Sequence, residues 1–393
     1  PKHKTAARWR SAARCVGFLL SNPKSMGFYR KSEVKRHYDL LDTLGSGSFS
    51  IVKRATRLRP SSEVVPDVHV AVKIIDKAKV DNMIDIRCEI DLLAGISHPN
   101  VIKIYEIYDE PEKLHLVMEL VYGGDLLDQI VAKGSYTEAD ASTAVKALCD
   151  ALGYLHARQI VHRNLKPENL LCEGQTLKIA DVGLARVVSK GDMMKVTCGT
   201  PGYVAPEILE NRGHDSGAVD MWSVGVILYI LLCGFPPFYD EELPALFEQI
   251  LHARYDFPLP WWDEFSEESK DLVRKLIERS ASRRLTAAQV LSHPWLRVSK
   301  TTPLPETVKA LKKFNAARKL KRALTVSGNG VVLLTRSHGC DSTCAAVSRL
   351  LALRSISFLT RSLDSSENSS HHGKGKSYRA CRICSKSAGS SSS

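Results

Sequence analysis

The chain has 393 residues, 44% of them apolar, and a net charge of +12, which leaves room for two domains or for one large domain with tails. Its longest hydrophobic stretch, Trp222 to Leu232, is short and interrupted, which excludes the run of roughly 20 apolar residues that a bilayer-spanning helix needs. Residues 1–37 hold ten Lys/Arg against one acid and residues 297–393 hold eighteen against four, so the arms carry +9 and +14 and the centre, 38–296, carries −11. An acidic centre between basic arms favours basic peptides, or its own arms, as partners; a nucleic-acid binder would draw positive charge onto its folded part, so no specific nucleic acid is expected.

The N-terminal arm, 1–37, reads as a disordered basic tail, although its Arg8, Arg10 and Arg14 and the absence of acids before Glu33 also resemble an organellar transit peptide. From Tyr38 the pattern is strand-like: Tyr38 to Leu44, Ile51 to Arg57, Val68 to Ile75, Ile102 to Tyr108 and Leu114 to Glu119, with one helical stretch near Met83 to Gly95. From Leu126 helices dominate, at Ala139 to Ala157, Ala218 to Leu232, Leu243 to Leu251, Ser269 to Glu278 and Ala287 to Ser292. This is an α+β plan of two lobes, a small strand-rich one (38–121) and a larger helical one (122–296), hinged near Tyr122-Gly123-Gly124 with a ligand cleft expected between them. Six of the ten cysteines, Cys15, Cys88, Cys149, Cys172, Cys198 and Cys233, stand singly, a usage that fits a reducing intracellular compartment, in the first instance the cytoplasm. Cys340, Cys344, Cys381 and Cys384 have metal-ligand chemistry, but their Ser-rich surroundings lack the apolar residues that fold around zinc.

Leu44-Gly45-Ser46-Gly47-Ser48-Phe49-Ser50-Ile51-Val52 joins two strand-like runs, and its glycines let backbone N–H groups approach a phosphate; taken alone, such a stretch is more often a plain hairpin turn. Val70-Ala71-Val72-Lys73 follows, an alternating strand that carries a lone ammonium inward, where Glu89 on the next helix and a phosphate are its natural anions. Farther on come His162-Arg163-Asn164-Leu165-Lys166-Pro167-Glu168-Asn169, a short hairpin, Asp181-Val182-Gly183, Gly199-Thr200-Pro201-Gly202-Tyr203 and Ala205-Pro206-Glu207. In this order they resemble the catalytic loop, metal-binding loop and activation-segment end of eukaryotic protein kinases, together with Asp220-Met221-Trp222 and with Arg284 as partner of Glu207.

The resemblance implies a two-lobed protein-kinase fold over 38–296 and a serine/threonine rather than a tyrosine kinase, because of Lys166 and Gly199-Thr200-Pro201. It implies ATP and Mg²⁺ as cofactors. The glycine loop and Ala71 would enclose the nucleotide, Lys73 paired with Glu89 would hold its α- and β-phosphates, and Lys166 would steady the γ-phosphate. Asn169 and Asp181 would bind the metal; Met118 would be the gatekeeper, with Glu119 and Val121 offering hinge backbone to adenine. Asp125 and Glu168 occupy positions that attract basic substrate residues. Ser50 replaces the last glycine of the glycine loop, and two further departures bear on the chemistry. Val182 replaces a phenylalanine, and Asn164 stands where an aspartate accepts the substrate hydroxyl's proton. An amide can orient that hydroxyl but cannot take its proton, and a lost general base costs about 10²- to 10⁴-fold.

Glu306 to Leu324 resembles the autoinhibitory and calmodulin-binding helix of calmodulin-dependent kinase type II, within a segment spanning 301–326. Leu311, Phe314, Leu320 and Leu324 can share an apolar side, and seven Lys/Arg from Lys309 to Arg322 line the rest, giving a basic amphipathic helix that fits calmodulin's groove, or a solvated helix on the large lobe. Thr307 aligns with that family's autophosphorylated threonine, but Leu304 replaces the arginine three residues before it; in the activation segment Val196 replaces a threonine, with Thr197 displaced by one. Residues 327–393 read as a disordered Ser-rich basic tail. Three readings follow: a calmodulin-regulated kinase of basic protein substrates with reduced turnover, a pseudokinase that switches partners without transfer, and attachment of the basic tails to anionic membrane or nucleic acid. None implies an oligomer.

Overall fold

The computed structural model describes residues 28–47, 49–58, 68–80, 83–182, 201–210, 216–298 and 300–326; the side chains of 84, 85, 88, 89, 298 and 322–326 lie outside that description. Its small lobe is built on a six-stranded sheet. In chain order the strands are β1 (Tyr29–Arg30), β2 (Tyr38–Ser46), β3 (Ser50–Arg57), β4 (His69–Asp76), β5 (Ile104–Asp109) and β6 (Lys113–Met118), arranged β1-β5-β6-β4-β3-β2. Only β1 runs parallel to its neighbour, β5. Central β4 is buried on both faces, Val70, Val72 and Ile75 being inaccessible to solvent, because helix α1 (Met83–Ala94) contributes Ile86 and Ile90 to the core while Val34, Tyr38, Tyr105 and Tyr108 form a second cluster.

Residues 28–37, expected to belong to a disordered arm, are instead part of this lobe. Phe28 and Tyr29 pack on the main core and Val34 is wholly buried. Arg30 is held 2.8 Å from Glu106, a carboxylate that also accepts the hydroxyls of Tyr38 and Tyr108. The basic residues that suggested a tail therefore include one that satisfies a buried acid.

The large lobe begins with α2 (Leu126–Lys133), a helix the periodicity did not single out. Its ends carry the usual signals: the Asp125 carboxylate accepts the N–H groups of Leu127 and Asp128, and Gly134 closes it in a left-handed conformation. Helix α3 (Glu138–His156) starts at a Thr137/Asp140 capping box. The hairpin β7 (Leu170–Glu173) and β8 (Thr176–Ile179) follows, then α4 (Pro206–Leu209), α5 (Ala218–Cys233), α6 (Leu243–Leu251), α7 (Glu267–Leu276), α8 (Ala287–Leu291), α9 (Trp295–Val298) and α10 (Pro305–Val326). Helix α5 is apolar on every side and correspondingly buried on every side, so it forms the axis on which the lobe is packed. No helix among the described residues is long and apolar enough to cross a membrane.

Candidate active site

Strand register brings together, from distant parts of the sequence, residues that the family likeness implies for the nucleotide. Val52 lies opposite Lys73, and Ala71 lies opposite Met118, so the turn between β2 and β3 is carried over the strand that bears Lys73. The Gly47 N–H donates to the Ser50 carbonyl at 2.7 Å and closes that turn. Gly45 and Ser46 pair with Val52 and Ile51, Leu44 and Ile51 expose apolar flanks, and Phe49 tucks against the core; Ser48 lies outside the described residues. At the hinge the Glu119 N–H is already donated to the Lys103 carbonyl at 2.9 Å, so of this residue's backbone only the carbonyl oxygen can serve an adenine amino group. Its carboxylate is held 2.8 Å from Lys178 on β8, which ties the hinge to the large lobe. Val121, two residues on, is half-buried.

Lys73 is 4% exposed and its ammonium lies 2.8 Å from an oxygen of Asp181. The Lys73 charge holds the Asp181 carboxyl below the usual carboxylate range, and the Lys166 charge adds to that effect. Asp181 keeps a side-chain exposure of 41% and sits at a positive φ of 58°, a conformation that the fold must impose on an aspartate. Val182 behind it is buried in the main core. The Glu89 side chain is outside the description, so its pairing with Lys73 stays an implication of family likeness.

The loop carrying Asn164 is held from beneath. Asp220, at the start of α5, accepts the backbone N–H groups of His162 (2.9 Å) and Arg163 (2.7 Å) and lies 2.8 Å from the His156 ring. Burial alone would raise this carboxyl's pKa; these hydrogen bonds and the nearby imidazoles outweigh burial and lower it. The anchored backbone turns through a positive φ of 65° at Arg163 and leaves Asn164 exposed at the cleft. The Asn169 amide donates to the Asn164 carbonyl at 2.8 Å, and the Asn169 carbonyl accepts from Ala180 at 2.8 Å. That second bond brings Asn169 beside Asp181. With its amide nitrogen so engaged, Asn169 presents its side-chain oxygen, and with the ionised Asp181 this makes an all-oxygen pair suited to a hard cation such as Mg²⁺.

Two further features frame the site. Arg284 and Glu207 form a bidentate pair, at 2.8 and 3.1 Å, and Arg284 also donates to the carbonyls of Ala218 and Glu278. The second feature had no particular signal in the sequence. Arg318 of α10, with 8% of its side chain exposed, donates to Asp125 at 2.6 Å and lies 3.4 Å from Glu168. Burial disfavours its charge, yet the two carboxylates hold its pKa above the usual value. Asn315, one turn earlier, donates to Asp128 at 2.7 Å and accepts from Arg318 at 2.6 Å, while Lys319 lies 2.5 Å from Asp128. The buried face of α10 is thus Thr307, Leu311, Asn315 and Arg318, with Phe314 partly buried; Leu320, expected on that face, is 48% exposed. Leu324 lies outside the described side chains, and Gly183 and residues 183–200, with Val196 and Thr197, lie outside the described residues. So do the four tail cysteines.

The sequence pattern of the protein kinase domain matches residues 38–296. The chain belongs to the protein kinase family, and its enzyme class is serine/threonine protein kinase, with the ATP and Mg²⁺ that the family uses. It is similar to myosin light chain kinase A of Dictyostelium discoideum, 46% identical over 284 residues that make up 71% of this chain and 94% of that protein. It is also similar to human calcium/calmodulin-dependent protein kinase type IV, 47% identical over 312 residues, 77% of this chain but 64% of the relative. Calcium/calmodulin-dependent protein kinase type 1 of Macrobrachium nipponense is 46% identical over 268 residues, 67% of this chain and 76% of that protein.

Proposed function

We propose that this chain phosphorylates serine or threonine in basic protein substrates, that α10 blocks the substrate site until calcium-loaded calmodulin removes it, and that Asn164 lowers turnover. The observation that carries this reading is the seat of Arg318. Asp125 and Glu168, the acids implied to receive a substrate's basic residue, are filled by a basic residue of the chain itself. That seat is incompletely satisfied. Arg318 Nε and the Tyr203 hydroxyl are buried without a hydrogen-bond partner among the described residues, and Arg318 Nη1 and Glu168 Oε2 meet only as a charge pair at 3.4 Å. That half of the seat is therefore looser than the 2.6 Å bond from Arg318 to Asp125. A helix of this kind can be displaced by a partner with a competing apolar groove.

At the reacting end Lys73, Lys166, Asn169 and Asp181 position the nucleotide, and Asn164 orients the attacking hydroxyl without accepting its proton. When bound, Mg²⁺ neutralises charge on the transferred phosphoryl group. Because that transition state is loose and governed by positioning and charge, residual turnover survives the loss of the base. A second reading, a pseudokinase that binds ATP and a partner as a switch, rests on Asn164 alone. Phosphate transfer to a basic serine peptide, measured in this chain and in Asn164→Asp with calcium and calmodulin present, separates the two. A gain of about 10²- to 10⁴-fold in kcat with little change in KM supports the disabled kinase, and no transfer in either protein would reject it.

A further inference from the structure

Residues 28–37 lie outside the 38–296 match and yet reach the helix that carries Glu89. The Tyr29 hydroxyl donates to Asp91 Oδ1 of α1 at 2.8 Å. Tyr29 is itself fixed at both ends: β1 pairs with Ile107 and Tyr108 of β5, the Phe28 carbonyl accepts from Ile107 at 2.8 Å, and the next residue, Arg30, is locked on buried Glu106. Farther along, the Val34 N–H donates to Glu110 at 2.9 Å. Among the described side chains, α1 is also tied to the sheet by Arg87 to Asp109, whose guanidinium is half exposed and whose attraction is screened accordingly. Burial raises the pKa of both Tyr29 and Asp91, marking their contact as drier than that of Arg87 with Asp109.

We propose that residues 28–37 are a strap that sets the position of α1, with Tyr29 as its positioning residue, so that phosphate binding at Lys73 depends on a segment outside the kinase domain proper. This rests on the family implication that Glu89 of α1 supports Lys73 when nucleotide is bound. A strap of this kind acts on the phosphates and leaves the adenine pocket alone, which gives it a signature that general destabilisation lacks.

The test uses the full chain, its Tyr29→Phe variant and its Asp91→Asn variant, which keeps an acceptor for the hydroxyl. Amide exchange in α1 without nucleotide and equilibrium affinities for Mg-ATP and for adenosine are measured on each. In Tyr29→Phe, α1 amides should exchange about tenfold faster with β4 and β6 unchanged. ATP affinity should fall several-fold with adenosine affinity unaltered, and Asp91→Asn should stay near the parent on both counts. Unchanged α1 exchange in Tyr29→Phe, or equal loss of ATP and adenosine affinity, overturns the strap. If the parent itself fails to bind ATP, the nucleotide reading falls, and the exchange measurement alone still decides for or against the strap.

Discussion

His162 organises the loop that bears Asn164 through both of its ring nitrogens. Nε2 donates to the Ala180 carbonyl at 2.9 Å and Nδ1 accepts the Asn164 N–H at 3.2 Å, so the ring is neutral. Complete burial lowers its pKa below the ordinary value of about 6.5. Between those two values the unfolded chain binds a proton that the folded chain refuses. The stability that this histidine contributes is therefore fully present above about pH 6.5 and is lost as pH falls. From this residue the loss approaches ~1.4 kcal/mol per pH unit. Thermal unfolding of the parent and of His162→Gln between pH 7.5 and 5 should show a shallower decline in the variant, whereas parallel profiles would contradict the assignment. A local motif can be read residue by residue: Asn164, Lys166, Asn169 and Asp181 sit within eighteen positions, and in the fold Asn169 bonds to the Asn164 carbonyl and lies beside Asp181. Arg318 was not legible as a particular residue, because among seven basic residues of one helix only the three-dimensional seat distinguishes it.

Helix α10 docks through a stripe of one side, Thr307, Leu311, Asn315 and Arg318, spaced four, four and three apart as adjacent turns require. The sequence suggested a purely apolar side because leucines and Phe314 stand out. Thr307 and Asn315 instead join the buried face, since each has a polar partner waiting: the Thr307 hydroxyl donates to the Leu232 carbonyl at 2.7 Å, and Asn315 meets Asp128. With its hydroxyl so committed, Thr307 is a buried fastener in the docked helix. Below it, Gly234 ends α5 at φ +89°, and a Cβ there would lie 2.4 Å from the Ala310 Cβ. Gly234→Val therefore combines backbone strain of about 1–2 kcal/mol with a direct clash. It should loosen α10 while the core stays folded, and tryptic cleavage at Lys309 to Lys321 should accelerate about tenfold. Unchanged protection would show that α10 is not seated on Gly234 as described. At the element level the small lobe was legible from period-two runs, but β1 was not, since two residues carry no period and only Glu106 and Asp91 reveal why they are ordered.

At the scale of the whole molecule, the uneven charge acquires a local meaning. Part of the acidic centre's charge, at Asp125, Asp128 and Glu168, faces a basic helix from its own C-terminal side. Composition foreshadowed that complementarity without locating it. Docking also buries Leu311, one of the four apolar residues expected to share the calmodulin-binding side, and leaves Leu320 outside. Under the proposed regulation calmodulin must compete with the large lobe for α10. Calcium-loaded calmodulin should then bind an isolated 305–326 peptide about tenfold more tightly than it binds the full chain, because only the undocked fraction of the chain is competent. Equal affinities would mean that α10 is not held back, and no calcium-dependent binding to either would remove calmodulin from the account.

Whether Arg318 occupies the place of a substrate's basic residue can be measured without any phosphate transfer. A basic peptide with alanine at its phosphoacceptor position is titrated into the Mg-ATP-loaded chain and into Arg318→Ala. Loss of Arg318 leaves Asp125 and Glu168 to the peptide, so the variant should bind it about tenfold more tightly. Equal or weaker binding by Arg318→Ala would contradict the account.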